Sequence, residues 1–339
     1  MSIVQKFRST NREHLAWYLY DFGNSAYAAV ILLAIYSAYF KGEVVGGAEG
    51  SRLWGISVGI AMLVVAVTSP ILGAIADHSA SKKRFLFFFS SITWLFTGLL
   101  FFVQKGDILL GMIFFILAET GYRSGQVFYN SLLPEIADPD EIGRVSGNGW
   151  AIGSFGGILC LIIILPLVIS IPGTLIIRLS LVFTALYFMA AAMPAFFWIK
   201  EKTTSRPLPE NETYFSVGFN RLLETAKKLG DFKEFIKFII AFLIYNDGIL
   251  MALNFASIIG AVLFGMDQQQ LIIFMIIVQI TSVAGAFIAG ALGSKFGYKQ
   301  TLIYSILLMT GVIAAMLFAQ YLTQFYIIGA FAGFALTAV

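Results

Sequence analysis

The stretch GAIADHSASKKR, residues 73–84, ends an apolar run with a glycine, an acidic residue and a basic cluster in fixed order. A related stretch, GALGSKFGYK, ends a later apolar run at residues 290–299. Superposition pairs three positions of the two stretches: Gly73 with Gly290, Ala80 with Gly297, and Lys82 with Lys299. Two shorter motifs, YDFG at residues 20–23 and YNDG at residues 245–248, recur in the same order. Together these repeats predict two homologous helix bundles.

The composition predicts a membrane protein. Of the 339 residues, 59% are hydrophobic and 12% are charged, whereas soluble domains carry about 25% charged residues. A helix that crosses a bilayer needs about 20 mostly apolar residues. Such stretches lie at residues 16–40, 53–76, 85–103, 109–132, 147–169, 178–198, 238–263, 271–292 and 301–319, and a tenth begins near Tyr326. Because they lack the two-residue alternation of barrel strands, we expect an all-α integral membrane fold.

The spacing of these stretches predicts three segments. Residues 1–199 hold six stretches and form an expected N-terminal six-helix bundle. Residues 200–235 are polar and form an expected cytoplasmic linker with a basic amphipathic helix, either on the membrane surface or as a docking site for a soluble regulator. Residues 236–339 hold helices 7–10 of a second bundle. Since the sequence ends inside its tenth apolar stretch, we expect that bundle to be truncated.

The placement of basic residues predicts the orientation. With a cytoplasmic N-terminus, inner segments hold 17 of the 22 Lys and Arg residues and outer segments hold four. This bias favours an inside N-terminus in a cell membrane, and the basic residues need no nucleic-acid partner. One cysteine and two histidines cannot form a metal cluster, and no nucleotide-binding motif is present, so no cofactor is expected. Both histidines, His14 and His78, are expected in solvated loops.

Several motifs carry a family resemblance. The two loop stretches, the predicted six-plus-six helices and the long central loop resemble the major facilitator superfamily, although Ala80, Ser81 and Ser294 depart from its loop motif. More narrowly, the chain resembles the bacterial relatives of the yeast vacuolar amino-acid effluxers, the autophagy-related effluxer-like family. Three segments carry that resemblance: WYLYDFGNSAYAAVI (17–31), YNSLLPEIADPDEIGRVSGNGWAIG (129–153) and LIYNDGI (243–249). The resemblance implies a transporter, with amino-acid export attributed to the fungal branch.

Apart from Arg178, which begins the sixth stretch, four charged residues lie inside the apolar stretches: Asp21, Glu119, Arg123 and Asp247. A charged side chain at the bilayer centre costs about 2.5–3.5 kcal/mol on insertion scales. Such residues persist where they face a partner or an aqueous cavity. Each is therefore a candidate site residue.

The fourth stretch carries the clearest pattern, because Glu119, Arg123, Gln126 and Asn130 fall on one helical face. Glu119 and Arg123 can also form a pair at i,i+4 spacing. One interpretation is a structural ion pair that holds the helix to its neighbours. The other is a lining of the translocation cavity, in which Arg123 binds an anionic group such as a carboxylate.

Other polar residues form further substrate-binding candidates: Asp21 and Asn24 in the first stretch, Asn246 and Asp247 in the seventh, and Gln279 in the eighth. An apolar setting favours the neutral form of a carboxyl group, so either aspartate could carry a coupling proton. The alternative is that they cap or hydrogen-bond neighbouring helices. The fifth stretch carries Gly149, Gly153 and Gly157 at four-residue spacing, and these glycines are expected to serve close helix packing.

The repeated loop stretches predict a gate, whose expected residues are Gly73, Asp77, Lys82, Gly290, Gly297 and Lys299. Asp77 lies at the C-terminal end of a helix, which disfavours a negative charge, so it should have a cationic or helix N-terminal partner. Contacts that break and reform here would bias inward-facing against outward-facing states. The alternative is that the basic cluster only fixes the topology.

The sequence thus predicts a secondary active transporter that moves a small polar solute by alternating access. By resemblance the solutes include amino acids, and the expected partners are the lipid bilayer, a small-molecule substrate and coupling protons. A membrane-embedded enzyme is disfavoured, because the spans hold no histidine and no nucleophile-elbow motif. A channel fits the two-bundle repeat less well. An inactive or truncated remnant and a non-transporting receptor or scaffold stay as alternatives.

Overall fold

Helices dominate the chain. A computed structural model describes residues 3–78, 81–202, 213–227, 233–266 and 268–336, and no strand occurs among them. The α-helices are α1 (Ile3–Tyr27), α2 (Tyr36–Tyr39), α3 (Gly47–His78), α4 (Lys82–Leu99), α5 (Ile108–Ile136), α6 (Ile142–Ser170), α7 (Thr174–Trp198), α8 (Tyr214–Lys227), α9 (Lys233–Leu263), α10 (Gln268–Phe296), α11 (Tyr298–Met316) and α12 (Leu322–Leu336). The predicted all-α class is confirmed.

Eight helical segments among the described residues are long and apolar enough to cross a membrane. They are Arg12–Val45, Gly47–Ala76, Lys82–Phe102, Ile108–Ile136, Ile142–Ser170, Thr174–Trp198, Ile276–Gly293 and Tyr298–Met316. These segments coincide with predicted spans one to six, eight and nine. The seventh predicted span lies within α9, which is 31 residues long, and the tenth overlaps α12.

The helices group into two compact units. Unit 1 comprises Met1–Pro139 and Ile152–Leu223, and unit 2 comprises Asp140–Ala151 and Glu224–Val339. The beginning of α6 therefore groups with the later helices, and unit 1 extends into α8. The predicted segments 1–199, 200–235 and 236–339 stay a prediction, since a grouping by contacts does not test where the bundles and the linker begin.

Glycines set the packing of unit 1. A Cβ added to Gly156 of α6 would overlap the Phe22 carbonyl of α1, and one on Gly157 would lie 2.9 Å from the Ser25 carbonyl oxygen. On the other side of α1, a Cβ on Gly23 would lie 2.9 Å from the Phe188 side chain of α7. Real Cβ atoms do not approach so closely, so only glycine permits these contacts. Helices α1, α6 and α7 therefore meet backbone to backbone around residues 21–25.

The first membrane span is not a regular α-helix. After α1 the chain forms wide π-helical turns at Ala28–Ala34 and Phe40–Val45, on either side of the short α2. Beyond the first wide turn, the Tyr36 hydroxyl donates to the Gly111 carbonyl at 2.9 Å, and the Tyr39 hydroxyl donates to the Val103 carbonyl at 2.9 Å. Such turns frequently occur at functional sites. The second half of this span, from Tyr36 onward, is thus anchored on the beginning of α5 and the loop before it.

Small residues also permit close helix contacts in unit 2. A Cβ on Gly329 of α12 would overlap the Phe274 ring of α10, and Phe274 stacks on Phe325 with ring centroids 4.8 Å apart. In the part of α6 that belongs to this unit, a Cβ on Gly147 would lie 3.3 Å from the Gly290 Cα of α10. Gly290, predicted as a gate residue, therefore lies at a close helix contact.

Candidate functional site

The centre of α5 carries a buried ion pair. The Arg123 Nε donates to Glu119 Oε1 at 2.8 Å, as the i,i+4 spacing predicts. The Glu119 side chain is 1% exposed, whereas the Arg123 side chain is 34% exposed. The guanidinium carbon lies 5.2 Å from the centre of the Tyr122 ring, a distance that suits a cation–π contact. Within this pair, Glu119 is thus buried and Arg123 is partly exposed.

Only one edge of the Arg123 guanidinium is used. Its Nε is held by Glu119, and no hydrogen bond from Nη1 or Nη2 occurs within the described residues. Those two nitrogens form the fork that binds a carboxylate or phosphate with two parallel hydrogen bonds. Because the side chain is partly exposed, the fork is available to an oxyanion.

The opposite end of the pair holds two buried oxygens without partners. Neither Glu119 Oε2 nor the Tyr27 hydroxyl completes a hydrogen bond among the residues that the structure describes. The Tyr27 hydroxyl faces the Glu119 carboxylate, and its ring stacks on Tyr122 with centroids 4.6 Å apart. No pattern in the sequence singles out Tyr27, because a tyrosine in an apolar stretch is usually only a packing residue.

The other predicted residues of the stripe differ in burial. Gln126 is half-buried and faces the Tyr122 hydroxyl, while Asn130 is exposed. Gln126 therefore extends the cluster by one turn. Asn130 lies where the same face reaches the surface of unit 1.

Asp21 lies against α6 and not against Arg123. A Cβ on Gly153 would overlap the Asp21 carboxylate and would lie 3.1 Å from Ser25 Oγ. Asn24 faces the Asp21 carboxylate, is 2% exposed, and leaves its own Oδ1 without a partner among the described residues. Asp21 is thus a second polar position of unit 1, at the contact between α1 and α6.

The predicted residues of unit 2 are more open within their own unit. Asp247 and Gln279 are exposed, and Asn246 is half-buried. Their neighbour Tyr245 packs against the cluster formed by Ile249, Met309 and Ala335. Their assignment to a substrate site stays a prediction.

Lys82 of the predicted gate is buried. It is 8% exposed, forms an ion pair with Glu135 at the end of α5, and donates to the Ser131 carbonyl at 3.2 Å. The sequence analysis missed Glu135, since no local spacing connects residues 53 positions apart. Lys82 therefore ties the beginning of α4 to the end of α5.

The remaining gate residues have varied settings. Gly297 begins α11 with φ +93°, a conformation that favours glycine, and Lys299 is exposed. Gly73 has open space around it. The Asp77 side chain lies outside the described residues, as does that of His78.

Side chains of glutamate and lysine bind the backbone of the chain where it leaves α7. Glu135 Oε2 accepts from the Lys202 backbone N–H at 2.8 Å, and Glu13 Oε1 accepts from the Lys200 N–H at 3.2 Å. Lys83 adds a bond from Nζ to the Ile199 carbonyl at 2.6 Å. We call residues Glu13, Lys82, Lys83 and Glu135 with segment 199–202 the linker clasp.

His14 corrects one expectation of the sequence analysis. It was expected in a solvated loop, but it lies in α1, is 9% exposed, and places Nε2 3.0 Å from the Ile136 carbonyl oxygen. The helix begins earlier than the apolar stretch, so the polar residues before Trp17 are helical and pack on the end of α5.

Comparison with known proteins gives consistent similarities. Residues 53–339 match the family described as "Vacuole effluxer Atg22 like". The chain is 26% identical to an uncharacterized MFS-type transporter, YxiO, of Bacillus subtilis (strain 168), over 95% of this chain and 76% of that protein. It is 23% identical to autophagy-related protein 22-1 of Penicillium rubens, over 74% of this chain and 54% of that protein. The chain thus spans about half the length of this fungal relative.

Solved structures show the same fold. The major facilitator superfamily transporter FucP, in its outward conformation, superposes with a TM-score of 0.70 at 12% identity, over 96% of this chain and 81% of that one. The proton:xylose symporter XylE superposes with a TM-score of 0.61 at 14% identity, over 98% and 80%. At these identities the likeness concerns the fold alone, which is that of the major facilitator superfamily.

Proposed function

The chain belongs to the Atg22-like vacuole effluxer family, and from this premise we propose that it is a secondary active transporter of small polar solutes that carry an oxyanion. Amino acids and similar zwitterions are the first substrate class to test, since the sequence resembles amino-acid effluxers. The proposed mechanism is alternating access, in which two bundles move around one site. No ATP-driven step is included.

The open fork of Arg123 is the observation that carries the proposal. A guanidinium inside a membrane-spanning helix is costly unless it faces a partner or water. Here the partner Glu119 takes only Nε, while the more exposed edge has no partner among the described residues. A purely structural pair would be better satisfied if both edges were bonded. We infer that the free edge binds the substrate oxyanion.

The linker clasp is a fixed contact of unit 1 in the proposed cycle. Lys82 and Glu135 link the cytoplasmic ends of α4 and α5 when the N-terminus is inside, as the placement of basic residues favours. In the proposal this contact belongs to unit 1 throughout the cycle. The changing contacts would involve Asp77, Gly290 and Lys299, which the loop repeat predicts. The proposed location is the cell or inner membrane.

The proposal includes coupling to protons through a carboxyl group in an apolar stretch. The apolar stretches of the sequence hold three such groups: Asp21, Glu119 and Asp247. A carboxyl group removed from water can exist in either protonation state, and its neighbours decide which one. The two units each supply at least one of these groups.

The test is counterflow in proteoliposomes that contain the purified full chain. The probes are radiolabelled leucine, glutamate and lysine, each offered against an internal excess of the same amino acid. A carrier gives a transient overshoot that saturates with substrate. We expect Arg123→Gln to abolish the overshoot, because the oxyanion loses its partner.

Arg52→Gln is the matched control for this test. Arg52 also pairs with a glutamate of its own helix, Glu49, at 2.5 Å, but its side chain is 68% exposed. Its removal should leave counterflow unchanged. Flux through Arg123→Gln equal to that of the wild type would contradict the site, and absence of flux for any probe with the wild-type protein would favour a non-transporting receptor or remnant.

A further inference from the structure

We propose that the groove between α10 and α11 binds one anionic phospholipid: an acyl chain lies in the groove, and the headgroup contacts Lys295 and Lys299. We call this feature the α10–α11 groove. The inference goes beyond the proposed function and does not depend on it, because a lipid bound here is neither the substrate nor a coupling ion. It assigns a ligand to Lys299, for which the loop repeat predicts only a gate.

The α10–α11 groove lies between two helices that only Gly297 separates along the chain. It has a volume of about 420 Å³. Apolar side chains of α10, α11 and α12 line it: Ile288, Leu292, Phe296, Tyr304, Leu308 and Phe334. Because lining positions recur every four residues on both helices, each helix contributes one face. At a rise of 1.5 Å per residue, the face from 288 to 296 is about 12 Å long, which is enough for part of an acyl chain.

Helix packing explains why a groove remains here. Helix α10 packs extensively on α12 and much less on α11. Near the turn the Tyr298 ring lies against Gly293, where an added Cβ would be 2.7 Å from the ring. Helix α12 contributes Phe334 to the lining, while the side chains of Leu292 and Tyr304 are 40% and 67–70% exposed at most, as their open setting requires. The groove is therefore backed by α12 and open on its other side.

The lining favours a hydrocarbon chain over a polar solute. Its two small hydroxyl groups are already used, since Thr301 Oγ1 donates to the Gly297 carbonyl at 3.1 Å and Ser305 Oγ donates to the Thr301 carbonyl at 2.8 Å. Most of the lining belongs to the segments Ile276–Gly293 and Tyr298–Met316, which are long and apolar enough to cross a membrane. An exposed apolar face in such a segment meets lipid hydrocarbon. An acyl chain is therefore the occupant that the groove fits.

One end of the groove carries two basic side chains. Lys295 lies in the last turn of α10, with Nζ 5.3 Å from the centre of the Phe296 ring, itself a lining residue. Lys299 lies in the first turn of α11, where the helix dipole favours an anion and disfavours a cation. Both lysines are exposed, and neither forms an ion pair in the described part of the chain. An anionic headgroup at this end would thus be complementary to both side chains.

These charges would select the headgroup. Every phospholipid supplies acyl chains, so the apolar lining alone does not discriminate among lipids. Basic pockets between membrane helices on the cytoplasmic side bind anionic headgroups, and the placement of basic residues favours the cytoplasmic side for this turn. A headgroup with a net negative charge therefore fits better than a zwitterionic one, which brings a cation of its own.

Native mass spectrometry of the purified full chain tests headgroup selection. The probes are dioleoyl phosphatidylglycerol, which is anionic, and dioleoyl phosphatidylcholine, which is zwitterionic and has the same acyl chains. We expect tighter binding of phosphatidylglycerol. A basic residue near an anionic lipid surface contributes roughly fivefold in affinity, so Lys295→Gln combined with Lys299→Gln should weaken phosphatidylglycerol binding about 25-fold and leave phosphatidylcholine binding unchanged.

Lys237→Gln is the matched control for the double variant. Lys237 is also exposed and belongs to the same unit, but it already pairs with Glu234 at 2.6 Å. Its replacement should leave the preference for phosphatidylglycerol unchanged. Equal affinity of the two lipids for the wild type, or a preference that persists in the double variant, would overturn the proposal.

A second variant tests the groove itself. Ala289 lines the groove, so Ala289→Phe fills it and should weaken phosphatidylglycerol binding. Ala66→Phe is the control, since Ala66 is an exposed alanine of α3 in the other unit. Excess inorganic phosphate should not displace the lipid, because the acyl chain also holds it. Unchanged binding in Ala289→Phe, or complete displacement by phosphate, would reject the groove as the site.

The same spectra report the oligomeric state. A wild-type dimer that Ala289→Phe converts to a monomer would show that a second copy of the chain occupies the groove, and this would also overturn the proposal. None of these measurements involves flux. Failure of the lipid site and failure of the proposed transport function can therefore be told apart.

Discussion

At the scale of single residues, the stack of Tyr27, Tyr122 and Arg123 holds the guanidinium fork in a defined direction. The Tyr122 ring contacts the Arg123 guanidinium and also stacks on the Tyr27 ring, whose centroid lies 4.6 Å away. A planar fork bonds a carboxylate well only when its orientation is fixed. Under the proposed function the two tyrosines are therefore positioning residues that need not touch the substrate.

Tyr122→Ala tests this positioning role. A cation–π contact contributes about 0.5–2 kcal/mol, which corresponds to a roughly 2–30-fold change in Kd. We expect a rise of that size in the substrate concentration that half-saturates counterflow. Tyr122→Phe keeps the ring and should behave nearly as wild type. Equal affinity of the Ala and Phe variants would show that the ring does not orient Arg123.

Residue-level prediction from the sequence succeeded where the geometry is local. The pair of Glu119 and Arg123 follows from helical spacing alone, since residues four apart meet on one face. The pair of Lys82 and Glu135 did not, because it depends on how α4 packs against α5. Tyr27 was missed for the same reason: its importance comes from atoms on another helix. The burial of His14 likewise depends on the end of α5.

At the scale of elements, the contact of α1 with α6 depends on the absence of side chains. Gly153 faces the Asp21 carboxylate, and Gly156 and Gly157 face the α1 backbone. The glycine spacing of the fifth apolar stretch, which forms α6, predicted close packing, and these contacts agree with that role. What the spacing could not supply was the partner helix.

Gly153→Ala should loosen this contact. Overpacking a close helix contact typically costs about 1–3 kcal/mol, because the new Cβ meets the Asp21 carboxylate. Gly59→Ala in α3 is the control, since nothing lies within 4 Å of that position. We expect Gly153→Ala to lower the thermal midpoint in detergent and Gly59→Ala not to lower it. Equal thermal midpoints would mean that α1 and α6 can move apart without a loss of stability.

The buried pair of Lys82 and Glu135 should be strongly coupled. Removing one partner of a buried pair costs about 3–5 kcal/mol, whereas replacing both by apolar residues costs less. Lys82→Met and Glu135→Leu should therefore each lower the thermal midpoint more than the double variant does. The solvent-exposed pair of Lys237 and Glu234 is the matched reference, and its variants should have little effect. Additive losses at Lys82 and Glu135 would argue against a coupled pair.

At the scale of the whole molecule, the class of fold was within reach of the sequence because lipid imposes simple requirements. A membrane span needs a long apolar run, and two homologous bundles appear as an internal repeat in the sequence. The superfamily fold and the family membership confirm the class that the loop stretches indicated. The grouping of the beginning of α6 with the later helices was not foreseen, since no composition change marks it.

The orientation of the chain can be tested through its single cysteine. Cys160 is buried, so Cys160→Ser gives a background without accessible thiols. Into this background we introduce Lys105→Cys, on the expected outer side, and Lys237→Cys, on the expected inner side. A membrane-impermeant maleimide should label position 105 in intact cells and position 237 only after permeabilisation. The reverse pattern would invert the topology.

The wide turns of the first span change the phase of its helical faces. A turn closed by an i→i+5 bond holds about one residue more than an α-turn, so residues beyond Ala34, and again beyond Val45, are rotated relative to a regular helix. A scan of single cysteines through residues 16–46 should therefore give a labelling period that is interrupted near residue 28 and again near residue 40. Helical-wheel designs that extend one period across Tyr27 would place Tyr36 and Phe40 on the wrong side.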